Sequence, residues 1–437
     1  MNNIPKGYKQ TEVGVIPEDW EVHELGTIIC SMQLGGNYPN TEKETLNPLI
    51  KMGNLGRGNI VLDKLEYITN IITPSEKDKL NLGDILFNTR NTLDLVGKIA
   101  IWQNELSIAY FNSNILRLKF DSNLVSSNHF MNFVLNTKLV LIQLRGIATG
   151  TTSVAAIYTR DLAKIRVPLP TLAEQTAIAN ALSDTDALIQ SLEKLIAKKR
   201  AIKQGAMQQL LTGKKRLPGF GNKTKKYKQT ELGLIPEDWK SCRFEDVLTG
   251  FSSGMTPYRG RPEYYKGDIP WITSGELDYN VVTDTEEKIT KEAVIKTSLK
   301  ILPKETFLIA ITGLEAEGTR GSCGIVGVEA TTNQSCMALF PIKNEITLEY
   351  LYHFYVLYGN ELAFKYCQGT KQQSYTGRIA KVLPINLPPT ITEQTRIASI
   401  LSDMDAEIAA MENKLAKYKQ IKQGMMQTLL TGRIRLV

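Results

Sequence analysis

The few residues of this sequence that could perform nucleophilic or metal chemistry are not grouped. Five cysteines are scattered without a C-x-x-C pair, at Cys30, Cys242, Cys323, Cys336 and Cys367. This odd and dispersed set argues against a disulfide framework or a zinc site and favours reduced, mostly buried thiols. Cys323 lies in a GSCG sequence that could suggest a nucleophile, but none of the three histidines has a positional relation to it. A catalytic cysteine is therefore not expected.

The motifs of group-transfer enzymes are also missing from the sequence. An amino-methyltransferase would need a glycine-rich turn for its methyl donor and an N-P-P-aromatic or D-P-P-aromatic loop. The nearest match, Asn386-Leu387-Pro388-Pro389, is better explained as a proline-rich stop before a helix. No G-x-x-x-x-G-K-[ST] phosphate loop is present, so the sequence does not predict ATP-driven work. We expect a chain that binds and does not catalyse.

Residues that can bind nucleic acid are more numerous. Glycine-rich loops between predicted strands carry Arg, Lys, Asn, Gln, Ser and Thr, whose donors match base edges and phosphates. Several of these side chains can also make bidentate contacts. The candidates for DNA contact are Arg57, Arg90, Asn91, Thr151, Thr152 and Ser153 in the first half of the chain, and Arg259, Arg261, Arg320, Lys371, Gln372 and Gln373 in the second. For any one of them, the alternative is an ordinary solvated loop residue.

The sequence segments that must position these loops occur twice in the chain. From Glu174 and from Glu393, the chain is identical at 24 of 40 positions, and YKQTEVGVIPEDW at Tyr8 recurs as YKQTELGLIPEDW at Tyr227. Both pairs are separated by 219 residues, so the chain is a tandem duplication. The IPEDW segment in each copy is expected to bury its tryptophan, Trp20 or Trp239, against the adjoining domain.

Each repeat ends in a predicted long helix. The T-x-x-E sequences at Thr171 and Thr390 are capping boxes, and Gly213 and Gly432 stand where C-cap glycines belong. Apolar residues recur at spacings of four and three, which predicts a coiled-coil seam. The seam residues are Ile178, Leu182, Ile189, Leu192 and Ile196 in the first copy, and Ile397, Leu401, Ile408, Met411 and Leu415 in the second.

A second apolar stripe lies beside the seam of the first helix, at Leu188, Leu195 and Ile202. This stripe packs either against a third helix from another protein or against the globular parts of the same chain, and the sequence does not favour one of these partners over the other. Gly205 and Gly424 interrupt both helices at the same place, where they indicate a kink or a close helix approach.

Composition and charge limit the class of protein. A chain of 437 residues with 42% hydrophobic content is long enough for two or more globular domains. No apolar stretch is long enough to span a bilayer, and we expect a cytoplasmic protein without a membrane role. The net charge of +7 is concentrated, because Lys194 to Lys228 contains twelve Lys or Arg and no Asp or Glu. This run is either a solvated face or a contact with DNA phosphates or an acidic partner.

The predicted organisation follows the repeat. It comprises a globular domain at 1–170, a helix at 171–213, a basic connector at 214–226, a second globular domain at 227–389 and a second helix at 390–432. The middles of the two repeats have diverged, although both contain short β-type runs bounded by Gly, Asn and Pro. The repeated parts should therefore perform a common task, while the divergent parts each recognise something different.

This organisation resembles the specificity subunit of type I restriction–modification systems over essentially the whole chain. The resemblance rests on the paired YKQTE.G.IPEDW openings, the paired EQ..IA..LSD.D helices and the KQG..Q.LLTG endings. It implies an α+β fold with two globular α/β target-recognition domains in tandem repeat, separated by two long antiparallel coiled-coil helices. Asn112 and Asn333-Gln334 match a weaker strand pattern of that family, to which we attach no catalytic role.

The resemblance also implies a function and partners. Each domain would read one half of a bipartite, asymmetric sequence in double-stranded DNA. The helices would set the gap between the half-sites and dock two adenine-methylating subunits, and restriction and translocase subunits would join them. S-adenosylmethionine, ATP and Mg²⁺ would be used by those partners and not by this chain. The alternatives are a coiled-coil scaffold that does not bind DNA, and the specificity subunit of a related system with a fused methylase–nuclease chain.

Overall fold

The order of strands and helices occurs twice along the chain. The computed structural model describes residues 4–221, 226–314, 316, 318–367 and 373–436. The chain forms two compact units: unit 1 is Met1–Glu193 with Asn413–Val437, and unit 2 is Lys194–Glu412. The boundaries between these units fall inside both long helices, whereas the sequence placed domain limits at the helix ends.

Unit 1 contains the strands and helices of the first repeat. Its strands are β1 (Tyr8–Thr11), β2 (Gly14–Pro17), β3 (Glu21–Glu24), β4 (Ile29–Leu34), β5 (Asn40–Thr41), β6 (Pro48–Ile50), β7 (Glu66–Ile68), β8 (Ile85–Asn88), β9 (Arg90–Asn91), β10 (Ile99–Ile101), β11 (Tyr110–Phe111), β12 (Ile115–Phe120), β13 (Thr149–Gly150), β14 (Ala155–Ala156) and β15 (Arg166–Leu169). Its helices are α1 (Leu25–Ile28), α2 (Asn128–Leu135), α3 (Lys138–Ile147), α4 (Thr159–Leu162) and the first part of α5 (Leu172–Leu210).

The main sheet of unit 1 has the strand order β10-β8-β12-β4 and is antiparallel throughout. Every residue of β8 is buried, as expected for a central strand covered on both faces. A smaller sheet has the order β11-β6-β7-β5, in which β11 pairs with β6 in parallel. The core beside the main sheet contains the fully buried side chains of Trp20, Phe87 and Phe130.

Unit 2 contains the corresponding elements of the second repeat. Its strands are β16 (Tyr227–Thr230), β17 (Gly233–Pro236), β18 (Lys240–Arg243), β19 (Leu248–Ser253), β20 (Ile269–Ile272), β21 (Asn280–Val282), β22 (Lys288–Ile289), β23 (Phe307–Ala310), β24 (Cys323–Val326), β25 (Thr331–Thr332), β26 (Cys336–Pro341) and β27 (Pro384–Leu387). Its helices are α6 (Phe244–Val247), α7 (Lys291–Lys296), α8 (Leu348–Tyr366), α9 (Gly377–Lys381) and the first part of α10 (Ile391–Leu429).

The two units share one topology although their middle sequences differ. The order β24-β23-β26-β19 in unit 2 matches β10-β8-β12-β4 in unit 1, with β21 added at the β24 edge. The smaller sheet, β25-β20-β22, matches β11-β6-β7, and its β20–β25 pair is again parallel. The predicted α+β class is confirmed, and the divergent loops of the two repeats are carried on equivalent sheets.

The helices after the sheets differ between the units. In unit 2, one helix, α8, spans Leu348–Tyr366. In unit 1, the corresponding stretch forms two helices, α2 and α3. The break lies at Asn136-Thr137, where the Thr137 hydroxyl accepts a hydrogen bond from the Val140 amide and caps a new helix.

The long helices α5 and α10 begin with the predicted threonine caps. The hydroxyls of Thr171 and Thr390 accept hydrogen bonds from the Glu174 and Glu393 amides at 3.3 and 3.2 Å. The helices end before Gly213 and Gly432, whose φ values of 68° and 69° confirm the predicted C-cap role.

A buried ionic junction closes unit 1. The carboxylate of Glu174 accepts hydrogen bonds from Trp20 Nε1 at 3.1 Å and from Arg435 Nε at 2.6 Å. Arg435 also donates to Asp19, with Nη1–Oδ1 at 2.9 Å. Hydrogen bonding to Glu174 raises the pKa of Arg435. Because Arg435 belongs to the second repeat, the first globular domain is completed by the end of the other repeat.

Unit 2 has an equivalent junction, in which the arginine comes from the first repeat and its carboxylate partners come from the second. Arg216 Nε donates to Glu393 Oε1 at 2.7 Å, and Arg216 Nη1 donates to Asp238 Oδ1 at 2.8 Å. The Glu393 side chain is 1% exposed and that of Arg216 is 17% exposed. Trp239 is buried here as Trp20 is in unit 1, so both IPEDW segments dock as predicted.

The helix segments within each unit run antiparallel, as the resemblance implies. In unit 1, Asp186 pairs with Lys422 at 2.6 Å and Glu193 pairs with Lys419 at 2.7 Å, so numbers rise on α5 as they fall on α10. Unit 2 has the same register, formed by the ion pairs Lys203–Asp405, Lys199–Glu407 and Arg200–Glu412. With Arg216, four of the described cations in the basic run at Lys194–Lys228 therefore form ion pairs inside unit 2.

Most of the predicted seam residues are buried. Ile178, Leu182, Ile189, Leu192, Ile196, Ile397, Leu401 and Ile408 are buried, while Met411 and Leu415 are half-buried. The first residues of each seam join the core of the adjacent domain and not a helix alone: Ile178 and Leu182 in unit 1, Ile397 and Leu401 in unit 2.

The second stripe on α5 remains on the surface. Leu188, Leu195 and Ile202 are 38%, 39% and 47% exposed, so the globular parts of the described chain do not cover them. A β-carbon added at Gly205 or at Gly424 would have no described atom within 4 Å, so no described helix of this chain approaches either glycine closely.

Candidate nucleic-acid interface

One end of the main sheet in each unit gathers the segments that diverge between the repeats. Since β12 is antiparallel to both β4 and β8, its first residue lies beside the last residues of those two strands. In unit 2, β26 has the same relation to β19 and β23. The polar loops leaving β4 and β8, or β19 and β23, therefore leave from one end of each sheet. We call this end the loop face.

The structure brings the candidate residues of unit 1 together on its loop face. Arg90 and Asn91 form β9, which continues from β8 and pairs with β14. Residues 151–153 are the tip of the β13–β14 hairpin, and the Leu93 amide donates to the Thr152 carbonyl at 3.2 Å. The side chains of Arg90, Thr151, Thr152 and Ser153 are exposed.

Arg57 reaches the same face from a separate loop. Its Nη2 donates to the Asp94 carbonyl at 3.4 Å, and Asp94 Oδ1 lies 2.5 Å from Arg145 Nη2. A surface cavity of about 320 Å³ lies between these residues and Lys138. Three cations and one carboxylate border the cavity, so its charge is suited to an anion such as a backbone phosphate.

In unit 2, the loop at 254–261 is fixed to the scaffold. Trp271 Nε1 donates to the Met255 carbonyl at 3.1 Å, and Tyr265 donates its hydroxyl to the Pro257 carbonyl at 2.5 Å. Tyr258 is 73% exposed at the tip of this loop. The loop is therefore anchored through its backbone and presents side chains outward.

Arg259 and Arg261 of this loop are held by neighbouring side chains. The two Nη atoms of Arg259 donate to the two carboxylate oxygens of Glu287 at 2.5 and 2.7 Å. Its guanidinium also lies 4.3 Å from the centre of the Tyr265 ring. Hydrogen bonding to Glu287 raises the pKa of Arg259, and the same contact lowers the pKa of Glu287. Arg261 donates from Nη1 to the Tyr264 hydroxyl at 3.2 Å.

The remaining candidates of unit 2 lie after β23. Arg320 Nε donates to the Leu314 carbonyl at 2.7 Å, and the Leu314 amide donates to the Gln373 carbonyl at 3.1 Å. Arg320 and Gln373, which are distant in sequence, thus meet at one segment of the loop face. Lys371 and Gln372 lie outside the described residues.

A turn between two strands also belongs to each loop face. It spans residues 112–114 in unit 1 and 333–335 in unit 2, directly before β12 and β26. Sequence reasoning noticed Asn112 and Asn333-Gln334 only as a pattern and gave no binding role to the residues between the asparagine and the strand. The signal available was that Asn112 and Asn333 precede equivalent apolar runs.

Comparison with known proteins decides the family. The model of the type I restriction modification DNA specificity domain matches twice, at residues 17–203 and 236–422. The chain belongs to this specificity family. Each match begins in an IPEDW segment and ends within a long helix, so the family model covers the loop face and most of the long helix of both repeats.

Relatives in the specificity family match over different lengths. A putative type I restriction enzyme MjaX specificity subunit from Methanocaldococcus jannaschii is 27% identical over 439 residues, covering 99% of this chain and 97% of the relative. The EcoR124I/EcoR124II specificity subunit from Escherichia coli is 27% identical over 188 residues, covering 43% of this chain and 45% of the relative.

Solved structures of the specificity family share the fold. The type I restriction-modification system S subunit from M. genitalium has a TM-score of 0.61 at 14% identity, covering 94% of this chain and 96% of that chain. A chain from a structural study of complex assembly and conformational transition in the type I R-M system has a TM-score of 0.53 at 16% identity, covering 96% and 99%. These likenesses concern the fold.

Two further observations concern the buried cysteines and the helices of this member of the specificity family. Cys323 and Cys336 are fully buried, and burial raises the pKa of both thiols, which disfavours the reactive thiolate. Within the described residues, no helix is long and apolar enough to cross a membrane.

Proposed function

We propose that this chain is the sequence-recognition subunit of a type I restriction–modification complex. Unit 1 and unit 2 each read one half of a bipartite, asymmetric sequence in double-stranded DNA, through their loop faces. The observation that carries this proposal is the combination of equivalent sheets with divergent polar loops at one end. A common scaffold that holds different donors is suited to reading two different half-sites.

The long helices perform the task that is common to both repeats, which is the docking of partner subunits. The repeated segments of α5 and α10 dock two adenine-methylating subunits, and restriction and translocase subunits join that assembly. Their activities use S-adenosylmethionine, ATP and Mg²⁺, while this chain contributes recognition and no catalytic group. The exposed stripe at Leu188, Leu195 and Ile202 supports a helical partner, because an apolar stripe on a helix is stabilised by burial.

The test is DNA selection by the reconstituted complex. The co-expressed assembly would be incubated with duplexes that carry randomised half-sites, and the bound sequences would be counted at several salt concentrations. Two separated sets of preferred bases are expected, with affinity falling as salt rises. DNA binding without base preference, or assembly without DNA binding, would favour the coiled-coil scaffold instead. Genes adjacent to this one would distinguish a related system with a fused methylase–nuclease chain.

Paired variants assign the half-sites. Replacing Arg90 and Asn91 with alanine should relax the half-site of unit 1 alone, since both residues lie on that loop face. Replacing Gln372 and Gln373 with alanine should relax the other half-site alone. If either variant abolishes both preferences together, the altered residues act on folding or assembly and not on recognition.

A further inference from the structure

A turn with identical hydrogen bonding lies at the centre of both loop faces. In unit 1, the Asn112 amide donates to the Ile50 carbonyl at 3.1 Å, and the Asn114 amide donates to Asn112 Oδ1 at 3.2 Å. The Ile115 amide then donates to the Asn112 carbonyl at 3.0 Å and begins β12. The asparagine side chain therefore closes the turn and fixes the residue between, which is Ser113.

Unit 2 repeats this arrangement bond for bond. The Asn333 amide donates to the Ile272 carbonyl at 2.9 Å, and the Ser335 amide donates to Asn333 Oδ1 at 2.9 Å. The Cys336 amide donates to the Asn333 carbonyl at 3.3 Å. The residue held at the tip here is Gln334, which is exposed.

The turn is flanked by the candidate loops in both units. In unit 2, the Met255 amide donates to the Thr332 carbonyl at 3.1 Å, and the Ile311 amide donates to the Ser335 carbonyl at 2.8 Å. The tip thus lies between the loop at 254–261 and the segment that contacts Arg320. In unit 1, the corresponding bonds join Gly36 to Phe111 and Thr89 to Asn114, and Thr89 directly precedes β9.

The tip residue of unit 2 is also oriented through its side chain. The Thr256 hydroxyl donates to Gln334 Oε1, and Thr256 follows the anchored Met255. Since a carbonyl oxygen has two lone pairs, Oε1 keeps an acceptor site and Nε2 keeps its donors. One acceptor and one donor side by side on a carboxamide match adenine, which offers N6–H as a donor and N7 as an acceptor in the major groove.

We propose that Gln334 is a base-reading residue of unit 2 that recognises an adenine edge, and that Ser113 occupies the equivalent reading position of unit 1. This inference rests on the proposed function, since it concerns the same loop faces. It adds a specificity position that is set by one side chain on a turn common to both units. Thr256 acts as a positioning residue, because it contacts Gln334 and holds its carboxamide in one orientation.

The test uses the reconstituted complex and compares base preference at every position of both half-sites. Gln334→Ala should reduce the preference for adenine at one position of one half-site by roughly 10- to 100-fold and leave the other positions unchanged. Gln334→Glu keeps the acceptor for Thr256 but replaces the donor with a second acceptor. It should shift that position from adenine towards cytosine, whose N4 amine donates.

Two further variants test the equivalent position in unit 1 and the residue that orients Gln334. Ser113→Ala is the matched control and should alter one position in the other half-site only. Thr256→Val should weaken discrimination at the position affected by Gln334→Ala, with a smaller fold-change. Because both side chains lie at or near the surface, the melting temperature of each variant should equal that of the wild type.

The outcomes distinguish this inference from the proposed function. If the Gln334 variants keep every base preference, or lose both half-sites while remaining folded, the assignment of Gln334 is overturned although DNA recognition stands. If the wild-type complex shows no base preference at all, the proposed function itself fails. A preference at the affected position for a base other than adenine would also contradict the inference.

Discussion

The side chains that join the two repeats are charged, and their carboxylates are buried. Glu174 and Glu393 carry carboxylates that are shielded from solvent, and each is neutralised by an arginine from the other repeat. A buried carboxylate without its partner loses both hydration and ion pairing, so the stability of each unit depends strongly on one guanidinium.

Removal of the Arg216 guanidinium is therefore expected to destabilise unit 2. Arg216→Gln should lower the free energy of unfolding by about 3 kcal/mol, because Glu393 stays buried without its partner. Arg200→Gln is the matched control: it breaks the exposed pair with Glu412 and should cost at most about 1 kcal/mol. Denaturant unfolding followed by fluorescence measures both. Adding Glu393→Gln to Arg216→Gln should recover part of the lost free energy of unfolding. Equal effects of Arg216→Gln and Arg200→Gln would contradict the burial argument.

His353 is expected to make unit 2 sensitive to acid. It is 1% exposed, its Nε2 lies 3.0 Å from Ser402 Oγ, and burial lowers its pKa to about 4, with Lys203 adding to the shift and Asp405 opposing it. In the unfolded chain His353 has its ordinary pKa of roughly 6.5, so on acidification the unfolded state binds a proton at a higher pH than the folded state. The contribution of neutral His353 to the free energy of unfolding is therefore fully present above that pH and is lost as the pH falls towards about 4. The shift corresponds to about 3 kcal/mol.

The measurement is the free energy of unfolding between pH 7 and pH 4 for wild type and His353→Gln. The wild type should lose about 3 kcal/mol more than the variant over this range. His23→Gln, which removes a histidine of unit 1, should leave the wild-type pH dependence of unit 2 unchanged. Parallel curves for wild type and His353→Gln would exclude His353 as the source.

At the scale of elements, α5 and α10 each contain a glycine that the fold does not require. Gly205 and Gly424 lie within helical turns, and a β-carbon at either position would contact no described atom. Glycine costs a helix roughly 1 kcal/mol relative to alanine.

Gly205→Ala and Gly424→Ala should therefore each raise the free energy of unfolding by up to about 1 kcal/mol, as measured by thermal or denaturant unfolding. Gly213→Ala is the matched control and should be destabilising, because this glycine has a positive φ and its β-carbon would lie 2.5 Å from Pro236 Cδ. Should either helix variant be stable alone but fail to assemble with methylating subunits, the glycine serves a partner and not the fold.

The sequence was informative where elements are local and repeated. The bounds of α5 and α10 follow from a T-x-x-E start, an apolar seam and a terminal glycine, all of which act within one helix. The pairing of strands could not be read in this way. Leu116 in β12 pairs with Leu34 in β4, far apart in sequence, and the diverged middles give no internal template for that pairing.

The same limit applies to the candidate interface. Arg90 and residues 151–153 could be selected from the sequence because of their side chains, yet only the β9–β14 pairing brings them together. Residues whose role depends on a neighbour were less accessible. The cations of the basic run were interpreted either as a solvated face or as a contact with DNA or a partner, whereas Arg216 is directed inward by the buried Glu393.

At the scale of the whole molecule, the helix ion pairs identify a place where the chain can be lengthened. Along α5, the pairs of unit 1 end at Glu193 and those of unit 2 begin at Lys199. Along α10, the pairs of unit 2 end at Glu412 and those of unit 1 begin at Lys419. One heptad inserted after Ile196 and one after Leu415 would therefore leave both sets of pairs intact.

This double insertion should lengthen the unspecified gap between the half-sites. A heptad keeps the seam in phase and adds roughly 10 Å of helix, equivalent to one to three base pairs at about 3.4 Å each. Sequencing of methylated motifs should show unchanged half-sites with a longer gap. A heptad in α5 alone is the matched control, and it should impair assembly because the two connections then differ in length. An active double variant with an unchanged gap would limit the helices to docking.

The exchange of arginines between the repeats has a consequence for synthesis on the ribosome. Unit 2 is one continuous stretch, Lys194–Glu412, and its Arg216 emerges before the residues it must neutralise. Unit 1 is interrupted: Glu174 and Trp20 are translated early, but Arg435 arrives only after all of unit 2. A nascent chain therefore carries an uncompensated carboxylate in unit 1 until Arg435, which follows the end of α10 at Leu429, leaves the exit tunnel. Translation that stops before Arg435 leaves the buried carboxylate of Glu174 without its ion-pair partner.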